Sequence, residues 1–196
     1  MEFRILGPLE VVRDGKPLVM GAAKPRALLA LLLLHADEVV SSDRLIDGLW
    51  GEAAPATAQK ALQVYVSQLR KTLDPEILVT QSPGYVLHPG RLDLRDFEEM
   101  LTRGHAARSQ GDPEAASREL RAALALWRGP PLSGLEFEPF AAAEIARLEE
   151  LRLTAVEDRI DADLELGAHG SWWPSSSSPS RVRRKASRDS VWRPER

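Results

Sequence analysis

The sequence predicts an α+β half followed by an all-α half, and three observations carry that division. Up to about residue 91, short apolar and β-branched runs separated by turn residues alternate with stretches of helical periodicity. From Leu92 onward the composition turns to Ala, Leu, Glu and Arg, with breaks at Gln110-Gly111-Asp112-Pro113 and Gly129-Pro130-Pro131. Charge divides at the same place: residues 1–91 balance ten basic against ten acidic side chains, whereas 92–170 hold nine Arg against seventeen acids. Residues 171–196 reverse the sign, with seven basic and two acidic residues. An acidic middle repels nucleic acid, so any such contact is assigned to the first segment.

Within that segment Phe3–Leu6, Leu9–Arg13 and Pro17–Val19 are expected as strands, with Asp14-Gly15 as a hairpin turn. Lys24–His35 is expected as a helix whose leucines cover nearly its whole circumference, which requires burial on most sides. Ser41-Ser42-Asp43 supplies capping residues for a short helix, Arg44–Trp50, stopped by Gly51. Pro55 and Thr57 open a third helix, Thr57–Leu73, and Asp74-Pro75 ends it. Ile77–Thr80 and Tyr85–Leu87 then form two strands around a turn at Ser82-Pro83-Gly84. Strands, three helices and a terminal hairpin make a winged helix-turn-helix, in which the second helix braces the third and the third enters the major groove of double-stranded DNA.

The third helix carries three positive charges and no negative one. At 100° per residue Leu62, Val66, Leu69 and Leu73 fall within about 60° of one another, a stripe seated on a core. Lys60, Val64, Ser67 and Lys71 fall opposite, flanked by Gln63 and Gln68, with Arg70 at the edge. Lys, Arg, Gln and Ser are residue types that reach phosphates and base edges. Taken alone the segment fits a solvated surface helix equally well. The brace helix before it and the hairpin after it favour the DNA-facing reading.

In the second half, Asp93 is expected to cap a helix from about Leu94 to Ser109, and Pro113 to open one running to Trp127 with Ala116, Leu120, Ala123, Leu124 and Trp127 inward. A longer helix, about Pro139 to Leu166, has Ile145, Leu148, Leu151, Val156, Ile160 and Leu164 as its apolar stripe. Paired antiparallel helices with alanine at the crossings suggest an incomplete tetratricopeptide-like helical domain of about one and a half repeats. Glu149, Glu150, Glu157, Asp158, Asp161 and Asp163 are expected on a solvated helix face.

Catalysis finds no support in the sequence. Cysteine is absent, which excludes disulfides and thiolate chemistry and suits a reducing cytoplasm. His35, His88, His105 and His169 show no metal-ligand spacing, and the glycines form no phosphate loop, so no metal, cofactor or enzymatic activity is expected. The most apolar run, Ala27–Leu34, is far short of the ~20 residues that cross a bilayer.

LGPLEV near the start, KPRALLALLLL, RLIDGLWGE, ALQVYVSQLRKTL, TQSPGYVL and the later LxxWRGPPL occur in an order that resembles the Streptomyces antibiotic regulatory protein family. The resemblance covers about 170 residues. It implies an OmpR-type winged helix over residues 1–91 and a partial bacterial transcriptional activator domain over 92–169. It further implies an activator of antibiotic biosynthesis genes that binds promoter direct repeats, commonly as a homodimer, and contacts RNA polymerase. Matched one by one, the DNA-contacting positions are Lys60, Val64, Tyr65, Ser67, Gln68, Arg70 and Lys71, with Thr80, Gln81 and Tyr85 in the wing. Some OmpR-type members carry arginines where this chain has Ser67 and Gln68, so base preference does not carry across. Tyr65 lies about 60° off the core stripe and suits packing as well as contact. The alternative is a helical protein-interaction module in which DNA binding is lost or secondary.

Residues 170–196 share nothing with the segment before them, and serine repeats followed by a basic run read as disorder. A second origin is a frame shift: Trp172-Trp173-Pro174 can only be coded TGG-TGG-CCN, which one base earlier gives Leu, Met or Val, then Val, then Ala. On that reading the helical domain is truncated and leaves part of its apolar face uncovered.

Overall fold

A computed structural model describes residues 1–167 of the 196. The expectation for 170–196 lies outside the described residues. The chain opens with β1 (Glu2–Arg4), β2 (Glu10–Arg13) and β3 (Lys16–Pro17), followed by α1 (Ala23–Leu34), β4 (Val40–Ser41), α2 (Ser42–Trp50) and α3 (Ala58–Thr72). Next come β5 (Leu78–Gln81), β6 (Gly84–Leu87) and β7 (Arg91–Leu92), then α4 (Asp93–Ser109), α5 (Pro113–Leu124) and α6 (Ala141–Glu165). The strands form two sheets, one in the order β3-β2-β1-β7 and one in the order β4-β6-β5. The β2–β3 turn holds Asp14 at φ 51° and Gly15 at φ 76°, the pair of left-handed residues a tight hairpin needs.

The expected helices and hairpins are present, and the differences have local causes. The first strand stops at Arg4 because the next two N–H groups leave the ladder: Ile5 N and Leu6 N donate to the Asp93 carboxylate at 2.8 and 3.0 Å. Asp93 is therefore not the cap of α4. The cap position is Leu92, and Asp93 turns inward, 6% exposed, to join the sheet to the helical half. Burial pushes its carboxyl above the usual range, against the opposing pull of the Ile5 and Leu6 N–H groups and Arg128. Beside it β7 pairs parallel with β1, Phe3 opposite Leu92. Two-residue strands such as β4 and β7 give no periodicity, which is why the sequence does not announce them.

One apolar core runs through both halves, from Phe3, Ile5 and Leu6 through the leucines of α1 to Phe97, Leu120 and Leu148. Ala27 to Leu33 are all buried, as the all-round hydrophobicity of α1 requires. In the second half α5 ends at Leu124, short of Trp127, which instead stacks edge-on against Phe97 at 5.4 Å. Where α4 crosses α5, a Cβ on Gly104 would sit 2.9 Å from Leu120, so the helices approach through a missing side chain.

The apolar stripe of α6 differs from expectation. Ala141, Leu148, Ala155 and Ala162, seven residues apart, are the buried positions, and Ile145 and Leu151 pack at their edge. Ile160 and Leu164 are 44% and 47% exposed, on the side away from the core. Alanines set the seam because small side chains let α5 and α6 come close. The acidic residues of α6 are likewise not all solvated. Asp158 meets His105 at 2.7 Å, Asp161 meets Arg108 at 3.0 Å, and Asp163 meets Arg121 at 2.8 Å, so three of the six join α6 to α4 and α5.

Candidate nucleic-acid interface

The third helix forms where its sequence directs. Its inner row, Leu62, Val66 and Leu69, is at most 2% exposed, and Leu73 closes the stripe just past the helix end. Each such side chain stabilises the seat by about 1.5–3 kcal/mol on burial. Arg13, from β2, donates to Thr72 O at 3.0 Å and to Asp74 at 2.8 Å, a cation placed on the carbonyl end of the helix. Ser41 caps α2 through its hydroxyl, which accepts from Arg44 N at 3.2 Å, so the brace is fixed as well.

The outer row faces solvent. Lys60, Gln63, Val64, Ser67, Gln68 and Lys71 are all exposed, and no side-chain hydrogen bond or ion pair within the described residues engages the two lysines. The loop before α1 extends the surface at one end. Met20, Gly21, Ala22 and Pro25 line a shallow cleft of about 280 Å³ with Gln68 and Lys71. Sequence periodicity treats one helix at a time and could not have joined that loop to the face.

The wing is held in a fixed pose beside this row. Gly84 in β6 lies so close to β4 that a Cβ there would fall 1.9 Å from Val40 O; only glycine fits. Ser42 N donates to Pro83 O at 3.2 Å, which ties the turn to the start of α2. From the other side Arg70 Nε donates to Leu78 O at 2.9 Å and Arg70 Nη2 to Thr80 Oγ1 at 2.7 Å. Its guanidinium also lies 6.0 Å from the centre of the Tyr85 ring.

These contacts sort the expected site residues. Thr80 and Gln81 are exposed on the wing, adjacent to the outer row. Arg70, half-buried, is already committed to the wing. Tyr85 does not share the outer surface: it is 8% exposed and forms the floor beneath Arg70, because its strand alternation turns it toward the core. Tyr65 is half-buried and stacks on Trp50 with ring centres 6.0 Å apart. Lys24 also reaches that tryptophan: its Nζ lies 5.8 Å from the ring centre and donates to Glu138 at 2.8 Å and Leu49 O at 2.6 Å. Helix α3 thus connects through Tyr65, Trp50 and Lys24 to the helical half. No sequence signal marks that chain of contacts, since its members lie up to 114 positions apart.

Among the described residues no cluster of three or more His, Asp or Glu side chains could hold a metal ion, and no helix is long and apolar enough to cross a membrane. What the surface offers is two ammonium groups that nothing among the described residues pairs, two amides and a hydroxyl on one helix face, with a hairpin held beside them. That is a chemistry for phosphates and base edges.

Comparison with known proteins agrees in both halves. Residues 15–87 match the model of the C-terminal domain of transcriptional regulatory proteins, and residues 92–193 that of the bacterial transcriptional activator domain. The chain is 43% identical over 172 residues to regulatory protein AfsR of Streptomyces coelicolor, covering 86% of this chain and 17% of that protein. It is 36% identical over 191 residues to regulatory protein DnrI of Streptomyces peucetius, covering 91% of this chain and 70% of that one. A solved structure of Mycobacterium tuberculosis EmbR in complex with a low-affinity phosphopeptide superposes with a TM-score of 0.82 at 36% identity, over 87% of this chain and 47% of EmbR. The chain thus spans less than a fifth of AfsR and about half of EmbR.

Proposed function

Because this chain belongs to the Streptomyces antibiotic regulatory protein family of transcriptional regulators, we propose that it acts by laying the outer face of α3 in the major groove of promoter DNA. Lys60 and Lys71 contact phosphates, Gln63, Ser67 and Gln68 meet base edges, and Val64 gives apolar contact to a thymine methyl. Thr80 and Gln81 on the wing meet the backbone or the adjacent minor groove. Arg70 holds the wing at the spacing that lets both elements engage together. The observation that carries this reading is the split of α3 into a buried apolar row and an exposed, unpaired basic and amide row, with a hairpin fixed beside it.

Tandem direct repeats are the matching operator, each repeat taking one copy, with two copies forming a homodimer on DNA. The acidic helical half is repelled by DNA and is free to face RNA polymerase. The controlled genes are those of antibiotic biosynthesis. A gel shift on promoter fragments bearing tandem direct repeats tests the reading. Wild-type chain should bind both repeats, and Gln68→Ala should cost about 1–3 kcal/mol and relax selection at one base pair. Equal binding to repeats and to scrambled DNA would reject sequence-specific recognition and leave the helical half as the working part.

A further inference from the structure

Where the end of α1 meets α4 and α6, the chain leaves a cavity of about 450 Å³ that DNA contact does not use: none of its lining residues belongs to α3 or to the wing. Part of the lining is apolar. Leu33 from the last turn of α1 and Leu92 and Leu94 from the junction of β7 with α4 are buried, with the half-buried Leu34 beside them. The rest is charged and comes from both halves of the chain. His35 and Glu38 follow α1, Arg95 and Glu98 stand on α4, and Glu144 and Arg147 stand on α6.

The cations of this wall are already engaged. Arg95 donates to Asp37, and Arg147 Nε donates to Glu144 at 2.9 Å. Arg44, reaching in from α2, donates to His35 Nε2 at 3.1 Å, which leaves that ring neutral; burial, with Arg44 beside it, holds the pKa of His35 below its ordinary value. Of the acids, Glu38 stands mostly in water, 3.7 Å from the neutral His35. The Glu98 carboxylate makes no hydrogen bond or ion pair with any described residue, and partial burial pushes it above the usual carboxylate range against the opposing pull of Arg147 and Arg95. Asp37, Glu38, Glu98 and Glu144 set against Arg44, Arg95 and Arg147 leave one negative charge uncompensated. The carbonyl end of α1 adds to it, since the last turn of that helix carries no basic residue.

A volume of this size is that of a small-molecule site, and an apolar lining with a few placed polar groups is how such sites are built. We propose that the cavity binds a small organic ammonium ion, the amine donating to the Glu98 carboxylate and the apolar body lying on Leu33, Leu34, Leu92 and Leu94. One unpaired acid suits one positive charge. An anion would instead have to compete with Asp37 and Glu144 for the arginines they hold. Because α1 belongs to the winged half and α4 and α6 to the helical half, the bound ion stabilises the seam between them, and it leaves the outer row of α3 open.

The test is isothermal titration calorimetry of the full chain with phenylbutylamine as the cation, phenylbutanol as its neutral counterpart and phenylbutyrate as the anion. Phenylbutylamine should bind saturably, about tenfold or more tighter than phenylbutanol, and phenylbutyrate should bind more weakly than either. Glu98→Gln should weaken phenylbutylamine about tenfold and leave phenylbutanol unchanged. Glu99→Gln removes an equal charge one position along α4 and should bind as wild type does. In a thermal melt phenylbutylamine should raise the midpoint of wild type and raise that of Glu98→Gln far less. No saturable binding of the amine, equal binding of amine and alcohol, or Glu98→Gln binding as wild type does overturns the proposal. So does an equal loss in Glu98→Gln and Glu99→Gln, which would make the attraction a general one, or tighter binding of phenylbutyrate, which would make the arginines the recognising groups.

Discussion

Asp93→Ala should loosen the seam between the winged domain and the helices, by an amount the geometry sets. The carboxylate accepts from Ile5 N at 2.8 Å and from Leu6 N at 3.0 Å, and both donors belong to residues with no exposure to water. Removing it leaves two buried N–H groups without acceptors, each costing about 1–3 kcal/mol. Arg128 offsets little, because it keeps Glu10 at 3.0 Å and Pro8 O at 3.1 Å after the change. Relief from burying a charge returns part of the loss, so the net expectation is about 2–4 kcal/mol. For a chain of this size that lowers the midpoint of a calorimetric melt by roughly 5–15 °C. Asp93→Asn keeps one oxygen but turns an amide donor toward N–H groups, and should lie between wild type and Asp93→Ala. An alanine variant within about 0.5 kcal/mol of wild type, the range of an ordinary surface change, would show that the carboxylate does not fasten the sheet to α4.

Arg70→Ala should free the wing: amide exchange at Val79 to Gln81 speeds up and DNA affinity falls, yet the salt dependence of binding stays near wild type, since the guanidinium serves Leu78 and Thr80 rather than phosphate. A slope reduced by about one would instead make it a phosphate ligand. Gly84→Ala drives a Cβ into the backbone at Val40 and should cost about 3 kcal/mol or more in urea unfolding; a variant of wild-type stability would mean that β4 and the wing separate freely. Asp163 accepts from Ser117 Oγ at 2.5 Å, which with Arg121 holds its carboxyl below the ordinary value of 3.8. Its contribution is therefore present above that value and vanishes as pH falls through the lower, folded one. Asp163→Asn should be less stable than wild type by under about 1 kcal/mol at pH 7, and the gap should close in acid; a gap that persists at pH 2 would exclude the charge as its cause.

How much of this was legible in the sequence depends on the range of the interaction. The seat of α3 was legible because Leu62, Val66 and Leu69 repeat at the helical period, and the same arithmetic put Lys60 and Lys71 outside. The Asp14-Gly15 turn and the Ser41 cap were legible because both act within a few residues. The tie of Arg70 to the wing was not legible, because its partners lie eight and ten positions ahead, across a turn, where no periodicity connects them. Tyr85 was counted with the wing surface because a tyrosine suits both faces of a strand, and only the packing of β6 against β4 decides. The α6 stripe was misassigned because large apolar residues attract attention, whereas the seam is made by alanines that leave room for α5. Asp93 looked like a cap because Asp before a helix usually is one; its true partners are 87 and 88 residues earlier.

The salt dependence of promoter binding by Lys60→Ala/Lys71→Ala bears most directly on the central claim. If the outer row of α3 lies on DNA through two phosphate contacts, the slope of log affinity against log salt should fall in magnitude by about two, and affinity should drop for operator and nonspecific DNA alike. An unchanged slope and affinity in the double variant would contradict the account, because DNA would then be bound by some other face of the molecule.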